Sequence, residues 1–175
     1  MSREKRTFLR LGLAFLLCSS GIQSSRSAPA EHASLLAEAA ESKGVVRRWI
    51  DEGFNQHEPR VVDEVFVESF AINGQVMTRE DLKQSMRRRL TAFPDLHVRI
   101  DELVGEGGTV AVWYTAEGTH KAEFEGISAT GRHVTWSGAD VVRVEGGRIR
   151  QGRFVDDSLG LMRQLGATLV PPPQK

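Results

Sequence analysis

The residue types best suited to proton transfer cluster on a hairpin around Gly146-Gly147: Asp140, Arg153 and Asp157. A two-residue turn at the Gly-Gly pair sets Val144 against Ile149, Val142 against Gln151, Asp140 against Arg153, Gly138 against Val155 and Trp136 against Asp157. All of these share one side of the hairpin. That side is the more apolar one, so an aspartate and an arginine are expected among Val, Ile and Trp rather than in water. Two carboxylates flanking a guanidinium can be held in different protonation states, one accepting and one donating a proton, as acid–base chemistry requires. In this arrangement Asp140 is the general acid or base, Arg153 orients it and holds an oxyanion, and Asp157 is a second carboxylate near the pocket mouth. Read without a ligand, the same Asp–Arg pair is a cross-strand contact of structural value.

Other candidates lie around this floor. Gln151 shares the ligand-facing side, and His120 and His133, at the end of one strand and the start of another, can reach a pocket rim. Trp49, Trp113 and Trp136 are expected on the concave side as walls of an apolar cavity. No two histidines have the close spacing of a local metal site. There is no G-x-S-x-G, glycine-rich phosphate loop or H-E-x-x-H.

Periodicity supplies the elements that position these residues. Ser34 to about Phe54 reads as helix, firmest over Val46, Trp49, Ile50 and Phe54, with Gly44 weakening its middle. Val61, Val62, Val65 and Phe66 suggest a short second helix. Thr78 and Asp81 form a capping box ahead of Leu82, Met86 and Leu90, and Phe93-Pro94-Asp95 ends that third helix. From Leu96 the period becomes two, giving strands over Leu96 to Asp101, Thr109 to Gly118, His133 to Val144 and Arg148 to Val155. A glycine-containing connection spans Thr119 to Arg132. Ser158 opens a last helix that Gly166 stops. Helices followed by an antiparallel meander is the α+β pattern, with helices covering one face of a sheet.

The ends read differently. Arg3, Lys5, Arg6 and Arg10, the apolar run Leu11 to Cys18 and Ala28-Pro29-Ala30 outline a signal peptide over residues 1–30, in which Lys5-Arg6 resembles a twin-arginine signal. Residues 31–41 read as an extension, 42–167 as the domain and 168–175 as a disordered tail. Without residues 1–30, 18 basic side chains face 22 acidic ones. That balance points away from nucleic acid and from anionic membrane surfaces. The single cysteine falls in the leader, so an extracytoplasmic (periplasmic or secreted) location would bring no disulfide.

The runs Phe93-Pro94-Asp95-Leu96, Gly118-Thr119-His120, Gly126-Ile127-Ser128-Ala129-Thr130-Gly131-Arg132, Gly146-Gly147-Arg148-Ile149 and Gln164-Leu165-Gly166 stand in an informative order and spacing. Together they resemble the SnoaL-like polyketide cyclase (ester cyclase) family of the nuclear-transport-factor-2-like superfamily. The resemblance covers about Ser42 to Gly166. It implies a cone of N-terminal helices on a curved antiparallel sheet with a short C-terminal helix, a homodimer or higher homo-oligomer, no metal or cofactor, and ring closure by an Asp acting on a polyketide ester. Relatives with the same cone include limonene epoxide hydrolase, whose Asp-Arg-Asp set Asp140, Arg153 and Asp157 resemble in type. Where the family commonly reads Glu-His-Trp-Asp, this chain has Gln151, Gly152, Arg153 and Phe154, and a frequent His is absent from Val67 to Asn73. The function expected is acid–base chemistry on a small, largely apolar carbonyl compound. The alternative is a non-catalytic binding protein, which Phe154 favours.

Overall fold

The structure is a computed structural model that describes residues 27–168. The basic start and apolar run of the expected leader, and the tail from residue 169, lie outside the described residues.

The first helix, α1 (Ser27–Arg48), is alanine-rich, and Pro29 sits in its first turn, where a missing N–H breaks no hydrogen bond. It starts earlier than the periodicity suggests and passes Gly44 undivided, because Ala39, Ser42 and Val46 are buried along it. The stretch read as an extension is thus part of this helix. It packs on the tip of a later hairpin, with Lys43 against Gly105 and Glu38 against Gly107 and Gly108. The helix then widens into a π-helical segment, Trp49–Asn55, closed by Gln56 N–H to Asp51 C=O at 2.9 Å. The wide turn buries Trp49, Ile50 and Gly53 together.

After a 3₁₀ turn, Pro59–Val61, come α2 (Val62–Val65), β1 (Phe66–Ile72) and β2 (Gln75–Thr78). The sequence reading contains no strand between Phe66 and Thr78. Its missed signal was Asn73-Gly74, whose φ angles of 52° and 83° suit a tight hairpin turn. The capping box then forms as expected, Thr78 and Asp81 each accepting from the other's backbone N–H, and α3 (Arg79–Ala92) follows. The rest is β3 (His97–Glu106), β4 (Thr109–Thr119), β5 (His133–Glu145), β6 (Arg148–Asp156) and α4 (Ser158–Leu165).

Sheet order is β2-β1-β6-β5-β4-β3. The last four strands are the expected antiparallel meander, but β1 runs parallel to β6, so the sheet is mixed. Its inner face, with Val110, Val112, Ala116, Val134, Trp136, Val142, Val144 and Ile149, meets the helices to form the core.

The β5–β6 register decides which residues reach that core. The Gly146-Gly147 turn has the expected length, pairing Glu145 with Arg148 and Val144 with Ile149. One residue later Arg143 pairs with Gln151, so Arg150 is an extra residue and the strand bulges there. Every position beyond it slips by one and changes face. Asp140 therefore faces Phe154, Gly138 faces Asp156, and Arg153 faces Val141.

Candidate functional site

A cavity of about 180 Å³ lies between the helices and the inner sheet face. It is smaller than the roughly 300–1,000 Å³ of drug-sized ligand sites, so it suits a compact molecule or one end of a longer one. Trp49, Ile50 and Phe54 line it from the π-helical segment, and Leu82, Ser85, Met86 and Arg89 from α3. Tyr114, Ala116, Trp136, Asp140, Phe154 and Asp156 line it from the sheet.

Pairing across the sheet orders the polar groups. In one row Tyr114 of β4 pairs with Gly138 of β5, which pairs with Asp156 of β6; in the next, Val112 pairs with Asp140, which pairs with Phe154. Gly138 is required here, because a Cβ would lie 2.3 Å from the Tyr114 Cζ and hydroxyl oxygen. The phenol thus crosses the strand toward Asp156. From the helical side Arg89 reaches the same carboxylate, Nη2 to Asp156 Oδ2 at 3.3 Å. The ring of Phe154 stacks on Trp49, 5.2 Å between centroids and 25° between planes.

Asp140 is the unusual group. Its residue is 4% exposed and its Oδ1 has no hydrogen-bond partner. Burial, the largest cause, pushes its carboxyl up from 3.8 to about 7; the Asp156 charge adds to the rise, while a Val155 backbone hydrogen bond and Arg89 pull it down. Burial, with the charges of Asp140 and Asp156, also drives the Tyr114 hydroxyl upward, so it stays a neutral donor. Orphaned buried polar atoms are rare, each costing about 1–3 kcal/mol. Trp49 Nε1, Trp136 Nε1 and Asp140 Oδ1 are three of them, and all three residues line this cavity.

The expected site is therefore assembled with different partners. Asp140, Trp49 and Trp136 line the cavity. Arg153 does not: the bulge turns it to the exposed outer face, and Arg89 of α3 supplies the guanidinium instead. Asp157 does not either: it caps α4, its Oδ1 accepting from Gly160 N–H at 2.8 Å, and its neighbour Asp156 is the second carboxylate. Gln151 and Trp113 also lie on the outer face, opposite Arg143 and Ala139. His133 is exposed beside Glu117. His120 is fully buried, but it pins the β4–β5 connection. Its Nδ1 accepts Thr130 N–H at 3.2 Å, which places the ring proton on Nε2, and its ring packs on Phe93. Among the described residues no three His, Cys, Asp or Glu side chains gather as metal ligands would, and no helix is long and apolar enough to cross a membrane.

Arg89 and Asp156 were missed for different reasons. Arg89 sits in the run Arg87-Arg88-Arg89, where helical phase alone marks one arginine as inward. Asp156 needed the bulge.

A family model described as SnoaL-like polyketide cyclase matches residues 44–165. No curated protein matches the chain. Among solved structures, a protein from Jannaschia sp. CCS1 named for the same family is 21% identical with a TM-score of 0.68, the match covering 75% of this chain and 96% of that one. TsrD from Streptomyces laurentii is 28% identical with a TM-score of 0.68, covering 74% and 97%. AclR from Streptomyces galilaeus, a candidate hydroxylase, is 23% identical with a TM-score of 0.66, covering 73% and 97%.

Proposed function

The chain belongs to the SnoaL-like polyketide cyclase family, and on that premise we propose that its cavity takes a compact carbonyl compound and moves a proton on it through Asp140. The observation that carries this reading is a buried carboxyl at the cavity, pushed up to about 7. Near neutral pH such a group is present in both forms, so it can take a proton from the carbon next to a carbonyl and return it. The neutral Tyr114 hydroxyl and the Arg89–Asp156 pair supply fixed polar groups around the reacting end. Trp49, Phe54, Trp136 and Phe154 keep its remainder dry.

The test uses cyclohexanone and 2-cyclohexen-1-one in D₂O, with deuterium uptake at the α-carbon followed by NMR. Uptake catalysed by the protein and lost in Asp140→Asn is the expected result. Uptake that survives Asp140→Asn overturns the assignment. A second reading, binding without turnover, is favoured by Phe154, an apolar ring directly opposite Asp140; saturable binding of the ketones with no uptake would select it.

Two further parts of the proposal rest on other residues. Export is supported by the basic start and apolar run of the leader, and the mass of the mature protein from the cell envelope checks it. Self-association is supported by the outer sheet face. There Val104, Ala111 and Val141 form one row, which ends in Arg153, and Trp113, Ala139 and Val155 the next, which begins at Glu102, an apolar patch with a charged residue at each end.

A further inference from the structure

Two indole N–H groups, Trp49 Nε1 and Trp136 Nε1, are buried with no acceptor in the protein, and both tryptophans line this cavity. A buried tryptophan ordinarily finds a partner for its N–H. Trp113, by contrast, has its side chain on the outer face, where it is 55% exposed. The rings of Trp49 and Trp136 are held by neighbouring aromatic rings. Trp49 is fixed by Phe54, Phe66 and Phe154, at 5.9, 5.3 and 5.2 Å between centroids. Trp136 packs on Phe93 at 5.5 Å. Neither ring is free to swing out to solvent, so the partner for each N–H must come to it.

Two donors, each on a large apolar plane, ask for a ligand with an accepting oxygen on an otherwise apolar body. A sugar or polyol would bring several hydroxyls into this aromatic cavity and leave most of them unpaired. A phosphate would bring charge next to Asp140 and Asp156. We propose that Trp49 and Trp136 are the specificity-determining donors of the site, hydrogen-bonding the oxygen of a ketone, enone or ester. This deepens the reading of the cavity as a carbonyl site, and it rests on that reading while leaving open which group moves the proton.

The experiment reads the three indole N–H signals of [¹⁵N]tryptophan-labelled protein, assigned with Trp49→Phe, Trp113→Phe and Trp136→Phe, during titration with cyclohexanone. Cyclohexane, the same ring without oxygen, is the control. The expected result is a saturable downfield shift of the Trp49 and Trp136 signals with the ketone, none with the hydrocarbon, and a fixed Trp113 signal. Benzothienylalanine in place of either tryptophan keeps the ring and replaces N–H by sulfur; it should weaken ketone binding about three- to tenfold and leave cyclohexane binding unchanged. Ketone binding that leaves both signals in place, or that tolerates sulfur at both positions, overturns the inference. The unsubstituted protein, read for indole shifts and deuterium uptake together, separates the two claims. Indole shifts that persist while deuterium uptake is absent uphold the donors and sink proton transfer. Uptake without indole shifts does the reverse.

Discussion

Asp140 stands where a carboxylate is poorly solvated, and that placement has a thermodynamic sign. A raised folded-state value means that charging the group opposes folding. The penalty is absent below about pH 4, where Asp140 is protonated folded or unfolded, builds as pH rises from 3.8 toward about 7, and is complete above that. A change of that size corresponds to up to about 4 kcal/mol. Asp140→Asn keeps the shape and removes the titration. Denaturant unfolding should therefore show the variant more stable than the parent at about pH 8 and no more stable at about pH 4. The opposite sign is what an Asp140–Arg153 ion pair would give, because there the charge is stabilised and its loss destabilises at high pH. This one measurement thus distinguishes the observed surroundings of Asp140 from those a continuous hairpin register predicts. Asp140 was legible in the sequence because it interrupts the inward alternation of Val134, Trp136, Val142 and Val144. Its partners were not, since one comes from a helix distant in sequence and the other depends on a single unpaired residue.

At the level of elements, three side-chain amides take the place of strands that are not there. Asn55 accepts from Val98 N–H at 2.7 Å and donates to its C=O at 2.9 Å, satisfying the edge of β3. Gln164 does the same for Thr135 of β5, beyond the end of β6. Asn73 accepts from Phe154 N–H and donates to Phe154 C=O, both at 2.9 Å, just where β1 stops running beside β6. That last clamp holds the segment carrying Phe154 and Asp156, so it bears on the site. Asn73 also has φ of 52°, which Asp tolerates and most side chains do not. Asn73→Asp therefore isolates the hydrogen bond from the turn: it keeps the acceptor and sets a charge against the Phe154 carbonyl. The expected cost is about 1–3 kcal/mol by denaturant unfolding, accompanied by weaker ketone binding. Unchanged stability would show that the amide is dispensable to β6. Helix starts, the capping box and the meander were readable because they are encoded within a few residues. The bulge at Arg150 and the parallel β1–β6 pairing are set by what packs on them from elsewhere in the chain, and no local period records that.

For the molecule as a whole, the two faces of one sheet are assigned opposite tasks by the same bulge. Past Arg150 the inner face receives Phe154 and Asp156, while Arg153 and Val155 go outward beside Val141, Ala139 and Trp113. The helices cover the inner face, yet outside Val155 is 67% and Trp113 is 55% exposed, and they sit in one contiguous patch. A monomer that leaves such a patch in water loses the free energy of covering it, and a second copy covering it needs about 800 Å² per partner for a stable interface. Sedimentation of the protein should accordingly give at least twice the chain mass. Val104→Asp, a substitution at an exposed residue of the same outer patch that does not line the cavity, should return it to the single-chain mass with circular dichroism unchanged. Because Val104 is not among the cavity-lining residues, the same variant should bind cyclohexanone as the parent does. A single-chain mass for the parent protein would assign the outer face another role, and loss of ketone binding in Val104→Asp would show that the two faces are coupled through the sheet.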